Sequence, residues 1–206
     1  MKEFRSASQI LFGFLPEQTV DLAGRVWKVK QWRDPVRKHV DTSALRQELL
    51  KLVTPWDKSG KAGDFATHLR QNRDIAVYTL DRGHGVDVEP FPQVWMCRSC
   101  KRVSFRFAEK CKCGATHMGQ LPFVGYHDCG DLRAPYVKSC PAHREVKVVQ
   151  PGTTSIADLE FRCPQCNVLL QKGLGFAQCK CGKALNWNVH RAASVYTPRR
   201  VVVVNP

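Results

Sequence analysis

The chain has 206 residues, with 32 Lys and Arg against 18 Asp and Glu, a formal net charge of +14, 10 Cys and 7 His. This length suits one large domain or two small ones, and no apolar stretch reaches the roughly 18 residues that a membrane-spanning helix requires. The N-terminus lacks the small-residue cleavage site of a secretory signal. We therefore expect a cytoplasmic protein with no membrane partner.

Charge and cysteines are unevenly divided near residue 90. Residues 91–206 carry 17 basic and 6 acidic side chains and all of the cysteines, whereas residues 1–90 carry 15 basic and 12 acidic ones. We expect an N-terminal α+β region at 1–90 and a basic zinc-binding region at 91–206. The positive charge favours an acidic partner or nucleic acid, although a solvated surface would also account for it.

Hydrophobic periodicity predicts the elements of the first region. They are a strand-turn-strand unit over 18–32, a helix over 41–53, a loop or short helix over 56–73, and a strand over 74–80. Ala23-Gly24 provides the turn between the first two strands, and Asp41 or Thr42 can cap the helix.

Short strands are expected between the cysteine pairs of the second region, over 103–107, 145–150, 159–162 and 195–205. The last strand holds four consecutive valines, and so apolar a strand is a hazard when its edge is exposed. It either docks onto a partner or is buried in the protein's own sheet. Together these features predict a small α+β fold, rich in zinc ribbons or zinc knuckles, with short antiparallel strands and few helices.

Eight cysteines occur in two arrays of closely spaced pairs. The first array, C-x2-C-x10-C-x-C, comprises Cys97, Cys100, Cys111 and Cys113, and the second, C-x2-C-x12-C-x-C, comprises Cys163, Cys166, Cys179 and Cys181. A pair on a tight turn directs both sulfurs to one point, and two pairs complete a tetrahedron around Zn²⁺. The spacing therefore predicts two four-thiolate structural zinc sites rather than disulfides.

The remaining two cysteines have histidines beside them. Written out, His127, Cys129, Cys140 and His143 form H-x-C-x10-C-x2-H, the first array in reverse order with His at both ends. A third zinc site of two thiolates and two imidazoles is one interpretation. The other is a pair of free core thiols with two ordinary histidines.

Basic side chains surround the first array, with aromatic ones between them. Phe105 and Phe107 either stack on bases or belong to the core. The candidate nucleic-acid-binding residues are Arg98, Lys101, Arg102, Arg106 and Lys112.

No catalytic motif is complete. Residues 58–62 contain a Gly-Lys pair, but a phosphate-binding loop needs an earlier glycine and a Ser or Thr after the lysine. His143-Arg144-Glu145 followed by the Cys163 pair is similar to a zinc deaminase pattern, yet Arg162 stands where that pattern has proline. We expect a protein that is not an enzyme and has no small-molecule substrate.

Three segments carry a family resemblance. The opening has Arg5, Ser8-Gln9, Phe14, Pro16 and Val20-Asp21-Leu22, the middle runs from FPQVWMCRSC to PFVGYHDCGDLRAPYV, and the end is HRAASVYTPRRVVVV. On these motifs the chain resembles DrmB, the zinc-containing subunit of the DISARM anti-phage defence system. It is also similar to the cysteine-rich C-terminal domain of MrfA-type helicases. The resemblance covers nearly the whole chain but only the first part of the family, which leaves open a fragment or a short stand-alone relative.

The resemblance implies a non-catalytic scaffold subunit that associates with a DrmA-like helicase and helps engage phage DNA. The basic zinc-binding half and the lack of a catalytic motif are compatible with that function. The alternative is a stand-alone zinc-ribbon protein that binds nucleic acid.

Overall fold

The computed structural model describes residues 2–53, 65–80, 85–150, 152–179, 181–196 and 201–203, and the structural statements below concern these residues. They form a small α+β fold with few helices and short antiparallel strands, which confirms the fold class expected from the sequence. The described strands make five small sheets, two from strands before residue 91 and three from strands between residues 95 and 189.

The N-terminal strands form a four-stranded sheet and a two-stranded one. They are β1 (Lys2–Phe4), β2 (Thr19–Leu22), β3 (Arg25–Trp32), β4 (Val36–Lys38), β5 (Val77–Thr79) and β6 (Gly85–Pro90). The larger sheet has the order β1-β6-β3-β2, and β4 pairs with β5. Hairpin β2–β3 confirms the predicted strand-turn-strand unit. Its turn has φ values of 49° at Ala23 and 71° at Gly24, which suit the twist of a tight hairpin.

The described helices are α1 (Ala7–Gly13), α2 (Ser43–Leu52) and α3 (Phe65–Arg70). Helix α1 begins with a capping box between Ser6 and Gln9 and supplies Ile10, which is fully buried, to the core of the larger sheet. Helix α2 confirms the prediction over 41–53, and Asp41 accepts the Ser43 N–H at 2.9 Å. None of the described helices is long and apolar enough to cross a membrane.

Two further predictions concern residues 56–80. Helix α3 is the short helix that was one alternative for 56–73, and β5 lies within the strand predicted over 74–80. Residues 54–64, which include the Gly-Lys segment at 58–62, lie outside the described residues.

Nine short described strands build three three-stranded sheets in the cysteine-rich half. They are β7 (Trp95–Cys97), β8 (Val103–Ser104), β9 (Met118–Gln120), β10 (Phe123–Tyr126), β11 (Leu132–Arg133), β12 (Lys147–Val149), β13 (Glu160–Arg162), β14 (Leu169–Lys172) and β15 (Asn186–Val189). The sheet orders are β8-β7-β9, β11-β10-β15 and β12-β13-β14. One core contains fully buried Phe161 and buried Val148 from β12-β13-β14, and Met96 of β7 and Phe123 of β10 pack against it, so all three sheets contribute to it.

Two strand predictions need correction. The strand predicted over 103–107 ends at Ser104, because the Ser104 hydroxyl bonds to both the N–H and the carbonyl of Arg106 and closes a turn. The strand predicted over 195–205 is wrong where the structure describes it. Ala193–Val195 is a 3-10 helix that buries Val195, and residues 201–203 belong to no strand.

Side chains join the N-terminal hairpin to the cysteine-rich half. The Gln120 amide accepts the Val26 N–H at 2.7 Å and donates to the Val26 carbonyl at 2.8 Å, as a neighbouring strand would. Asp21 accepts two hydrogen bonds from Arg191 at 2.7 and 2.8 Å. The division into domains at residue 90 stays a prediction.

Candidate metal centres

The twelve Cys and His residues expected to bind metal form three groups of four. Metal group 1 is Cys97, Cys100, Cys111 and Cys113, metal group 2 is His127, Cys129, Cys179 and Cys181, and metal group 3 is Cys140, His143, Cys163 and Cys166. Within each group the four ligand atoms all lie within 4.8 Å of one another. All ten cysteines are free thiols, in agreement with the argument against disulfides.

Three of the six ligand pairs lie on a long turn, with two residues between the ligands. These turns start at Cys97, Cys140 and Cys163. In each turn the backbone N–H of the first ligand donates to the carbonyl five residues later. The backbone carbonyl of the same ligand accepts the N–H four residues later, and both distances are 2.7–3.1 Å. The residue after the second ligand has a positive φ, between 52° and 61°, and these residues are Lys101, Arg144 and Asn167.

The other three pairs lie on a short turn, with one residue between the ligands. These turns start at Cys111, His127 and Cys179. The backbone N–H of the first ligand donates to the carbonyl four residues later. The backbone carbonyl of that ligand accepts the N–H three residues later, again at 2.7–3.1 Å. The residue that donates this second bond is always glycine, with φ between 84° and 90°, because the turn needs a left-handed residue there. These glycines are Gly114, Gly130 and Gly182.

Strand pairing decides which turns share a metal group. Strand β10 ends one residue before His127 and pairs Tyr126 with Asn186, so the turn at His127 meets the one at Cys179. Strand β13 ends one residue before Cys163 and pairs Arg162 with Lys147, so the turn at Cys163 meets the one at Cys140. Metal group 3 is thus nested in the chain between the two halves of metal group 2.

This nesting corrects two predicted sites. The first array forms metal group 1 as predicted, but Cys163 and Cys166 do not join Cys179 and Cys181 in one four-thiolate site. The site predicted from His127, Cys129, Cys140 and His143 is also wrong as a unit, because its two halves belong to metal groups 2 and 3. Each of these groups instead combines three cysteines with one histidine, since antiparallel pairing joins segments that spacing along the chain cannot identify.

The distances suit a tetrahedral ion. With Zn–S bonds of about 2.3 Å, sulfurs at the corners of a tetrahedron lie about 3.8 Å apart. In metal group 1 the Sγ atoms of Cys97 and Cys113 are 3.7 Å apart, and those of Cys100 and Cys111 are 3.6 Å apart.

In metal groups 2 and 3 the Nδ1 atom of the histidine faces the cysteine sulfurs. His143 Nδ1 lies 3.5 Å from Cys140 Sγ and 3.4 Å from Cys163 Sγ. His127 Nδ1 lies 3.5 Å from Cys181 Sγ. The sulfurs of metal group 2 are closer together than in the other groups, with 3.0 Å between Cys129 and Cys179 and 3.3 Å between Cys179 and Cys181.

Backbone N–H groups favour the thiolate at the first ligand of two long turns. Burial raises the pKa of Cys97, but the N–H groups of Cys100 and Ser99 outweigh it and lower the pKa to about 6. The same balance, with the N–H groups of Cys166 and Gln165, lowers the pKa of Cys163 to about 6. A thiolate is the form that binds metal, so these turns prepare their first sulfur for an ion, whereas burial raises the pKa of the second sulfur of the first turn, Cys100, to about 12.

The five candidate nucleic-acid-binding residues do not form one site. Arg102 and Lys112 line one groove beside metal group 1, whereas Lys101 lines a separate depression next to Lys147. Arg98 and Arg106 are exposed and line neither cavity.

The two phenylalanines, Phe105 and Phe107, also lie in different surroundings. Phe107 packs edge-on against Trp95, with ring centroids 4.8 Å apart, and the Arg25 guanidinium lies 4.5 Å from the centre of its ring. Phe105 lines the same groove as Arg102 and is 45 % exposed. Phe107 is almost equally exposed, at 43 %, but its ring faces Arg25, so Phe105 is the ring that lies beside Arg102 and Lys112.

Sequence reasoning placed Glu145 only in an incomplete catalytic pattern and missed its contacts with the turns of two metal groups. Its carboxylate accepts from Lys112 at 2.7 Å and from Gln165 at 3.3 Å, side chains that lie between the ligands of metal groups 1 and 3 respectively. Because 33 and 20 residues separate Glu145 from these partners, no local pattern indicates the contact.

The fold and the site define a class of protein, an α+β chain with three four-ligand Cys/His groups that could each hold a metal ion. Over residues 6–202 the chain matches a family model described as Domain of unknown function (DUF8724), and it belongs to that family. No curated protein and no solved structure matches the chain.

Proposed function

We propose that the protein is a non-catalytic zinc-binding scaffold subunit that associates with a helicase partner and helps engage DNA in prokaryotic anti-phage defence. The observation that carries the non-catalytic part is the number of ligands. Each metal group offers four protein ligands, and a tetrahedral ion so bound keeps no open position for water or substrate.

Zinc is the metal that this ligand chemistry favours. Four-coordinate sites of cysteine, or of three cysteines and one histidine, are typical of structural zinc. Filling one four-thiolate and two three-thiolate sites would lower the net charge by about 4, from +14 to about +10. The protein would therefore stay strongly basic when loaded, as binding to DNA requires.

The helicase partner and the role in defence rest on the sequence resemblance to DrmB. The test is affinity purification of the tagged chain from its own host, followed by mass spectrometry. We expect a helicase-like ATPase in stoichiometric amount, retained after nuclease treatment. If the chain elutes alone under these conditions, the scaffold proposal is wrong.

A stand-alone zinc-ribbon protein that binds nucleic acid is the second candidate. The groove that combines Phe105 with Arg102 and Lys112 favours it, since aromatic and basic side chains together suit nucleic acid. Recovery of nucleic acid without a protein partner, in the same purification carried out without nuclease, would support this second function over the first.

A further inference from the structure

A groove of about 320 Å³ lies between metal groups 1 and 3. It is within the size range of ligand-binding pockets. Phe105, Met118 and Val146 give it an apolar part, and Lys110, Lys112 and Arg144 give it a basic part. An apolar surface next to several cations suits a ligand that is both flat and anionic.

The two metal groups hold the cations of this groove in place. Lys110 and Lys112 flank Cys111 of metal group 1, and Arg144 follows His143 of metal group 3. Arg144 has a φ of 52° because it closes the long turn at Cys140. Since each cation lies next to or within one of these turns, the backbone that carries it is positioned before any ligand binds.

The one carboxylate in the groove already has partners. Glu145 lies 2.7 Å from Lys112 and 3.7 Å from Arg102, so these two cations offset its charge. Neither Lys110 nor Arg144 lies within 4 Å of an acidic side chain among the described residues. The positive charge of these two side chains is therefore available to an anion from outside the protein.

Phe105 offers a ring to such a ligand. It is 45 % exposed, and its neighbour Phe107 is engaged by Trp95 and Arg25 instead. Every nucleobase has a π-face that can stack on an aromatic side chain, whereas bases within a duplex already stack on one another.

We propose that this groove binds single-stranded nucleic acid, with one base stacked on Phe105 and the neighbouring phosphates held by Lys110 and Arg144. The inference rests on the nucleic-acid binding proposed above. It adds which groove binds the nucleic acid and that the bound nucleic acid is single-stranded. An acidic peptide would also meet the cations, but it has no flat group that needs Phe105.

The test uses the zinc-loaded full chain and a fluorescent oligo(dT) of about 12 nucleotides, within the length that such surfaces cover. We expect Phe105→Ala to weaken binding roughly 5- to 150-fold, the range for loss of one stacked base. Lys110→Ala is expected to lower the slope of log affinity against log salt by about 0.7, since it removes one phosphate contact. An oligomer with abasic sites should bind the wild-type protein more weakly than oligo(dT), and duplex DNA of equal length should also bind more weakly.

The matched control is Phe176→Ala, because Phe176 is 77 % exposed and does not line the groove. Zinc content of each variant checks that the fold is intact. The groove proposal is overturned if Phe105→Ala binds like the wild type, or if poly-glutamate binds as tightly as oligo(dT) and is equally sensitive to Phe105→Ala. If the wild-type protein binds no nucleic acid at all, the proposed DNA engagement fails as well, which distinguishes the two failures.

Discussion

The Lys112 ammonium lies 2.7 Å from a carboxylate oxygen of Glu145, and this ion pair connects metal group 1 to metal group 3. Lys112 stands between two ligands of metal group 1, and Glu145 stands two residues after His143, a ligand of metal group 3. The other carboxylate oxygen of Glu145 accepts from Gln165, which lies between Cys163 and Cys166. One side chain thus fixes the relative positions of two metal-binding turns.

A double-mutant cycle measures this connection. We expect Glu145→Gln and Lys112→Ala each to lower the free energy of unfolding of the zinc-loaded protein, with a coupling of up to about 1 kcal/mol. The value is modest because Lys112 is 75 % exposed and water screens the pair. Urea unfolding of the wild type, the two single variants and the double variant gives the coupling. If the effects of the two substitutions on the unfolding free energy simply add, Glu145 and Lys112 are not coupled.

Glycines of the short turns offer a second prediction. Gly130 has a φ of 84°, and a Cβ there would meet no atom within 4 Å, so the cost of Gly130→Ala is conformational. We expect a loss of about 1–2 kcal/mol in unfolding free energy. Gly13→Ala is the matched control, since Gly13 is helical and equally open. The control should leave stability unchanged or raise it, and equal effects at both positions would contradict the turn argument.

Metal removal should act on one half of the chain. Structural zinc contributes roughly 10–16 kcal/mol of binding free energy to small folds. We expect a chelator to abolish hydrogen-exchange protection in β7 to β15. The sheet that contains Val29 and Val86 should keep its protection, because its core includes no metal ligand. Protected amides in β10 and β13 of metal-free protein would contradict a structural role for the metal.

The Asp21–Arg191 pair gives a prediction about pH. The hydrogen bond from Arg191 lowers the pKa of Asp21 from its usual 3.8, burial opposes it, and His190, 3.5 Å away, lowers it further. Because the folded pKa is depressed, the stabilisation is fully present above pH 3.8 and is lost as the pH falls through the folded value. We expect Asp21→Asn to cost up to about 1 kcal/mol, since the carboxylate is partly exposed.

Unfolding of the wild type and of Asp21→Asn, compared between pH 5 and pH 8, tests this assignment. The difference in unfolding free energy should stay constant across that interval. No difference between the two proteins across that interval would contradict a stabilising Asp21–Arg191 pair.

The sequence identifies the twelve candidate ligands and the grouping of the first array, but not the grouping of the other eight residues. Close pairs of cysteine and histidine predict ligands because a tight turn alone brings the two ligand atoms of a pair together. Which turns meet depends on strands of two to four residues, such as β10 and β13, and these are too short to show a period. The similar spacing of the two cysteine arrays therefore predicted a repeat that the strand pairing does not follow.

The same limit explains the other differences. The β2–β3 hairpin and α2 were predicted because their periodicity extends over eight or more residues. Four consecutive valines near the C-terminus predicted a strand from propensity alone. A strand also needs a partner, and none of the described strands pairs with residues 201–203. The contact between Glu145 and Lys112 has no sequence signal, because the fold alone brings the two side chains together.

The most direct test of the three metal groups is heteronuclear NMR of the protein loaded with ¹¹³Cd²⁺, in which each ion shows scalar coupling to the β-protons of the cysteines that bind it. We predict three ions, with Cys163 and Cys166 coupled to the same ion as Cys140. Cys179 and Cys181 should share an ion with Cys129. One ion coupled to Cys163, Cys166, Cys179 and Cys181 together would contradict the nested arrangement and the strand pairing on which it depends.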